Sequence, residues 1–345
     1  GCTDPFALNY SEYAIYDDGS CEYFEGEISG EPPSTIWTHY LHDEDSPFDN
    51  DVPTPDYWDY NITVPNSNCV ESFNGGVTCA GHYNSYGNYN MGGYCYENYY
   101  TGYIYELDID GTMLWFKEFG RWNQNKDLDC DSPNYHKRII KGENSYYLVG
   151  RNSEDYEKAY ILKLDADGNQ DWLEFKDLDG SSNGDNVIYN GLEASNGNLV
   201  FVGKSYLSNF YYEAIIWIMD SDGNDINSFS YHLEQYDGST SEQETLNDII
   251  ETSDGSYVAV GKGYVRSVGG NYYYPLIIKF NEDGIIYTKH LIENSLGGVK
   301  EYLSVLELDN GNLLLTGQSS SDYALIIQAS SDGDFISFGM DHLSF

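Results

Sequence analysis

The chain has 345 residues, and its 57 acidic against 16 basic residues give a formal net charge of −41. Repulsion of that size makes nucleic acid and anionic membrane surfaces poor partners and cations good ones. No run approaches the ~20 apolar residues that cross a bilayer as a helix, and six cysteines fit an oxidising compartment.

Taken in chain order, the first feature is Gly1-Cys2-Thr3-Asp4-Pro5, continuing through Asn9-Tyr10 to Asp17-Asp18-Gly19-Ser20-Cys21. A loop this short cannot build a core, so a Cys2–Cys21 bridge is expected to staple it. Fourteen positions match the G-C-T-D-P-x-A-x-N-Y…A-x-x-D-D-G-S-C pattern, and the stretch resembles the short module found in secreted proteins of Bacteroidota. The resemblance implies export and display outside the cell, with Asp4, Asp17 and Asp18 holding a calcium ion. The other reading of these carboxylates is that they cap turns. A first residue that is Gly rather than Met fits a chain whose signal peptide has been removed.

A Gly/Pro linker ends this first region, residues 1–34, and the remainder, 35–345, reads as one large domain. It begins with Thr35-Ile36-Trp37-Thr38-His39-Tyr40, a strand-like run surplus to the repeats that follow. Ile36, Trp37 and Tyr40 would add it to a blade edge in the same ring or in another molecule. Asp43 to Tyr60 is acidic and proline-punctuated and reads as an excursion rather than a strand, so the repeat proper is expected to start near Cys69.

From there a pattern recurs five times: an apolar run, a D-x-D-G-like turn, then a second run led by an aromatic residue. Its turn glycines are Gly111, Gly168, Gly223, Gly284 and Gly333, 49 to 61 residues apart. Each period also holds an Asn-Gly or Asp-Gly-like hairpin followed by an apolar run ending in glycine, at Gly81, Gly150, Gly203, Gly261 and Gly317. Each period therefore contains four strands, A to D. The prediction is all-β, a β-propeller of five four-stranded blades with a small disulfide-stapled N-terminal arm. The pattern resembles the propeller-like repeats of secreted Bacteroidota proteins and is similar in strand phase to quinoprotein-type blades. The cofactor-binding residues of the quinoprotein enzymes have no recognisable counterpart here, so no organic cofactor is expected.

In an up-and-down sheet, successive connections alternate between two ends. The B-to-C connections carry the tyrosines: Tyr83, Tyr86, Tyr89, Tyr94, Tyr96, Tyr99 and Tyr100, then Tyr211 and Tyr212, then Tyr272, Tyr273 and Tyr274. These residues are expected in loops on one face, a contact surface of rigid apolar area with polar tips.

Cys79 and Cys95 could close one excursion, and Cys69 and Cys130 could tie neighbouring blades, among fifteen possible connectivities. Asp127, Asp129 and Asp131 alternate on one stretch and form the second calcium candidate. The D-x-D-G turns lack the later ligands of an EF-hand and read as hairpin turns whose Asp accepts backbone N–H bonds. No nucleophile elbow, Cys/His pair or phosphate loop appears, so no catalytic residue is assigned.

These features lead to an expected function: a secreted, cell-surface or matrix protein, non-enzymatic and adhesive, assembling with copies of itself into a filament. A glycan-binding propeller is the alternative, and a polysaccharide-degrading enzyme stands third.

Overall fold

The computed structural model describes residues 60–63, 69–85, 99–119, 135–151, 158–176, 186–208, 211–231, 241–267, 270–290, 299–319 and 324–341. Its first unit contains β1 (Tyr60–Thr63), β2 (Cys69–Glu71), β3 (Val77–Ser85), β4 (Tyr99–Leu107) and β5 (Met113–Phe119). The second contains β6 (Tyr135–Lys141), β7 (Ser145–Arg151), β8 (Ala159–Asp165) and β9 (Gln170–Lys176). The third contains β10 (Val187–Glu193), β11 (Leu199–Ser208), β12 (Tyr211–Met219) and β13 (Asp225–Tyr231). The fourth contains β14 (Ser241–Glu251), β15 (Tyr257–Ser267), β16 (Gly270–Asn281) and β17 (Gly284–His290), and the last β18 (Val299–Glu307), β19 (Leu313–Ser319), β20 (Ala324–Ala329) and β21 (Phe335–Asp341). Each unit is an antiparallel meander, and the third and fourth are joined by a single parallel bridge between Tyr212 and Gln243.

The first unit corrects the sequence reading at its start. β1 and β2 both pair with β3, along His82–Ser85 and Val77–Cys79 respectively, so together they occupy the strand A position. Tyr60, expected in an excursion, begins a strand.

The B and C strands of the second, third and fourth units are apolar on both faces because each of these units is covered on both faces by its neighbours. Four hydrophobic clusters occupy the four junctions between successive units. The first sets Ala80 and Ile104 against Ile139, Tyr146 and Leu162, and the next sets Val149 and Ile161 against Ile188, Phe201 and Trp217. The third packs Val202 and Ile216 against Ala259 and Ile278, and the fourth packs Val260 and Ile277 against Tyr302, Leu315 and Ile327. Strand A of each unit lies against strand A of the next. The protein is therefore an all-β fold of propeller type.

The recurring turn has the physical basis expected of it. Asp165 Oδ1 accepts the backbone N–H groups of Asp167 and Asn169 at 3.0 and 2.8 Å, and Asp220 does the same for Asp222 and Asn224. Gly168 closes the first of these turns with φ of 74°. The aromatic residue that leads each of the first four D strands lies at the following unit's turn. The ring of Trp115 lies against Gly168 and that of Trp172 against Gly223, while the Tyr287 hydroxyl donates to Ser331 O at 2.9 Å.

Candidate functional site

The innermost strands are not regular. A bulge interrupts β6 between His136 and Arg138, β10 between Ile188 and Asn190, β14 between Leu246 and Asp248, and β18 between Tyr302 and Ser304. The glycine inside each B strand explains how the bulge is tolerated. A Cβ on Gly203 would collide with the Val187 carbonyl, and one on Gly261 with that of Thr245. A strand interior glycine commonly marks such close backbone approach.

Each bulge redirects the residue that follows it. Arg138, Asn190, Asp248 and Ser304 hold equivalent positions on successive A strands. Asn190 donates its amide to Asp248 Oδ1, and Ser304 Oγ and the Val305 N–H donate to Asp248 Oδ2. Asp248 is buried and spans three units with its two oxygens. A carboxylate held by three donors is anchored, and its part is to fix the innermost strands.

Nearer the B-to-C end, charged and aromatic groups gather on units four and five. The Lys262 ammonium lies 2.7 Å from a Glu301 carboxylate oxygen, with the Glu301 side chain 10% and that of Lys262 34% exposed. Two residues beyond Lys262, the Tyr264 ring meets the Tyr273 ring at 4.8 Å. Lys300, beside Glu301 in sequence, sets its ammonium 5.2 Å from the Tyr273 ring centre. Tyr273 is 39% exposed. On unit three a similar group has Tyr206 against Tyr212 at 5.4 Å, with Lys204 4.2 Å from the Tyr212 ring.

The structure corrects the expectation that these tyrosines stand in loops. Tyr83, Tyr99 and Tyr100 belong to the β3–β4 ladder, Tyr211 and Tyr212 to β12, and Tyr272, Tyr273 and Tyr274 to β16. The β15–β16 hairpin stays paired as far as Ser267 and Gly270, so there the expected long loop is a strand extension. Tyrosine favours the half-buried pleated surface, and directly opposed pairs such as Tyr264 with Tyr273 stabilise a ladder. Tyr274 is not on the contact surface at all. Its ring crosses Gly263, its hydroxyl donates to buried Glu244 at 2.7 Å, and it is 6% exposed.

The cysteine expectations are corrected as well. Cys69 is bonded to Cys79, its direct opposite on the β2–β3 ladder, so neither Cys69–Cys130 nor Cys79–Cys95 forms. Cys2, Cys21, Cys95 and Cys130 lie outside the described residues, as do Asp4, Asp17, Asp18, Asp127, Asp129 and Asp131. So do Ile36, Trp37, Tyr40, Tyr86, Tyr89, Tyr94 and Tyr96. Among the described residues, no group of three or more His, Cys, Asp or Glu side chains is placed to hold a metal ion. Glu301, Lys262 and Asp248 were not singled out in the sequence; the one local signal for them is the glycine in each B strand, which marks the bulge.

No protein-family model matches the chain, and no curated protein matches it. Solved structures do. A mannose phosphorylase from Leishmania mexicana is 11% identical, with a TM-score of 0.38 over 81% of this chain and 87% of its own. The periplasmic gluconolactonase of Pseudomonas aeruginosa is 10% identical, with a TM-score of 0.40 over 76% and 69%. A quinohemoprotein alcohol dehydrogenase from Pseudomonas putida, 13% identical, gives 0.42 over 81% of this chain and 44% of its own. These three are enzymes, none an adhesin or filament protein, and the expected non-enzymatic, self-assembling function is corrected to that extent. Likeness at this level bears on shape alone and transfers no activity.

Proposed function

We propose that the protein is an exported enzyme that cleaves polysaccharide at the B-to-C end of units four and five. The observation that carries the reading is the Tyr264–Tyr273 ring pair standing beside the Lys262–Glu301 ion pair. Exposed aromatic rings offer rigid, flat area with polar tips, and sugar faces stack on such rings. A carboxylate beside them suits an oxocarbenium-like transition state, in which positive charge develops at the anomeric carbon. Glu301 is the carboxylate assigned that work, and Lys262 fixes its direction. Glu244, on the neighbouring innermost strand, is fully buried and held by the Tyr274 hydroxyl, so it supports the strand rather than meeting substrate. The Cys69–Cys79 bond supports the exported part of the reading, since disulfides persist in oxidising compartments.

The experiment is reducing-end release from a panel of polysaccharides by the wild-type protein and by Tyr273→Ala. Turnover with a KM raised about tenfold by the substitution is the expected result. Saturable binding without turnover would make the protein a glycan receptor and defeat the proposal.

A further inference from the structure

Among the described residues, every trailing face is buried except the last. On unit three that face carries Val200, Val202 and Ile216, and on unit four Val258, Val260 and Ile277, all at 0 or 1% exposure. The registers place Leu314, Thr316 and Ile326 at the same positions of unit five. There Ile326 is 53% exposed, and Leu306, paired with Leu314, is 56% exposed. No pairing or hydrophobic cluster joins the last unit to the first among the described residues. Aliphatic residues at core positions of a repeat require a cover, as the other junctions demonstrate.

The first unit is poorly suited to supply it. At the inner junctions the residue ending strand A reaches back to the preceding unit's turn. Glu251 accepts the Ser195 N–H and hydroxyl at 2.7 and 2.6 Å, and Glu307 accepts those of Ser253 at 2.7 and 2.9 Å. The corresponding pair for a last-to-first junction is Glu71 and Asp309, two carboxylates, and neither the serine hydroxyl nor a cation is there. A second copy is disfavoured by the net charge of −41 on each chain.

We propose that residues 35–42 of the same chain, Thr-Ile-Trp-Thr-His-Tyr-Leu-His, pack on this face and seal the gap between the last and first units. The run contains no carboxylate in a chain that has 57, and it offers Ile36, Trp37, Tyr40 and Leu41 as apolar partners. Its tether to β1 can extend to about 60 Å, more than the width of a domain of this size. A tethered segment also acts at millimolar effective concentration, so a modest apolar contact suffices.

A photo-crosslinking residue at position 326 of the full chain tests this. Adducts at monomer mass that map to residues 35–42 are expected. Adducts at dimer mass, adducts to residues 60–119, or no adduct would each overturn the proposal. Independently, Ile326→Asp in the full chain should speed chymotryptic cleavage after Trp37 and Tyr40 about tenfold; an unchanged rate contradicts it.

Discussion

Asn190 and Asp248 face each other across a junction, the side-chain amide of one donating to the carboxylate of the other. They hold equivalent positions in successive repeats, one residue past a bulge, and Ser304 continues the series. Unlike side chains at equivalent sites thus lock the innermost strands together. Asp248→Ala would leave three buried or half-buried donors without an acceptor. A loss of about 2–4 kcal/mol in denaturant unfolding is expected, with Ser304→Ala costing less than half as much.

Gly261 and Gly255 make a controlled comparison. A methyl on Gly261 would strike the Thr245 carbonyl, whereas Gly255, at φ of 78°, has nothing within 4 Å. Gly255→Ala should cost only the left-handed backbone strain, about 1–2 kcal/mol. Gly261→Ala should cost more than that and unfold at clearly lower denaturant, because backbone must move.

Cys69 and Cys79 close a ten-residue separation. The chain-entropy model gives about 2–3 kcal/mol for a loop of this size. Thermal unfolding of the Cys69→Ala, Cys79→Ala double variant should show that loss, and reducing agent should lower the wild-type midpoint by more than it lowers the variant's.

Burial raises the pKa of several tyrosine hydroxyls. Tyr257 is pushed up to about 12 by burial and then by Glu251 and Glu282, and Tyr287 to about 12 by burial and then by Asp332 and Asp334. Tyr302 and Tyr160 are driven up by burial alone. The folded state therefore holds these protons more tightly than the unfolded chain. Their contribution is complete below about pH 10, the unfolded value, and falls as pH rises toward the folded values. Unfolding midpoints should drop steeply between pH 10 and 12, and Tyr257→Phe should flatten the drop.

The repeat was legible because its turns are written in residues that tolerate few other conformations: the D-x-D-G run at Asp165 to Gly168, and Asn-Gly at 196 and 197. Aromatic positions such as Trp115 and Trp172 were legible too, though their purpose, capping the next unit's turn, is visible only in three dimensions. The Tyr272 to Tyr274 run reads as a loop alongside the other tyrosine-rich B-to-C connections, whereas the β15–β16 ladder pairs through it as far as Ser267 and Gly270. Cys69 was set against a distant partner because strand register, which decides the matter, is not written in spacing. Glu301 and Lys262 were invisible for a similar reason: one is among 57 acidic residues and the other among 16 basic ones, and only the junction between two units brings them within 2.7 Å.

Glu301→Gln reports most directly on the central claim, because it keeps the size and hydrogen-bonding capacity of the side chain and removes its charge. On a polysaccharide that the wild type degrades, the variant should retain binding and wild-type melting while losing at least about a hundredfold in kcat. A variant that turns over substrate at the wild-type rate would contradict the account.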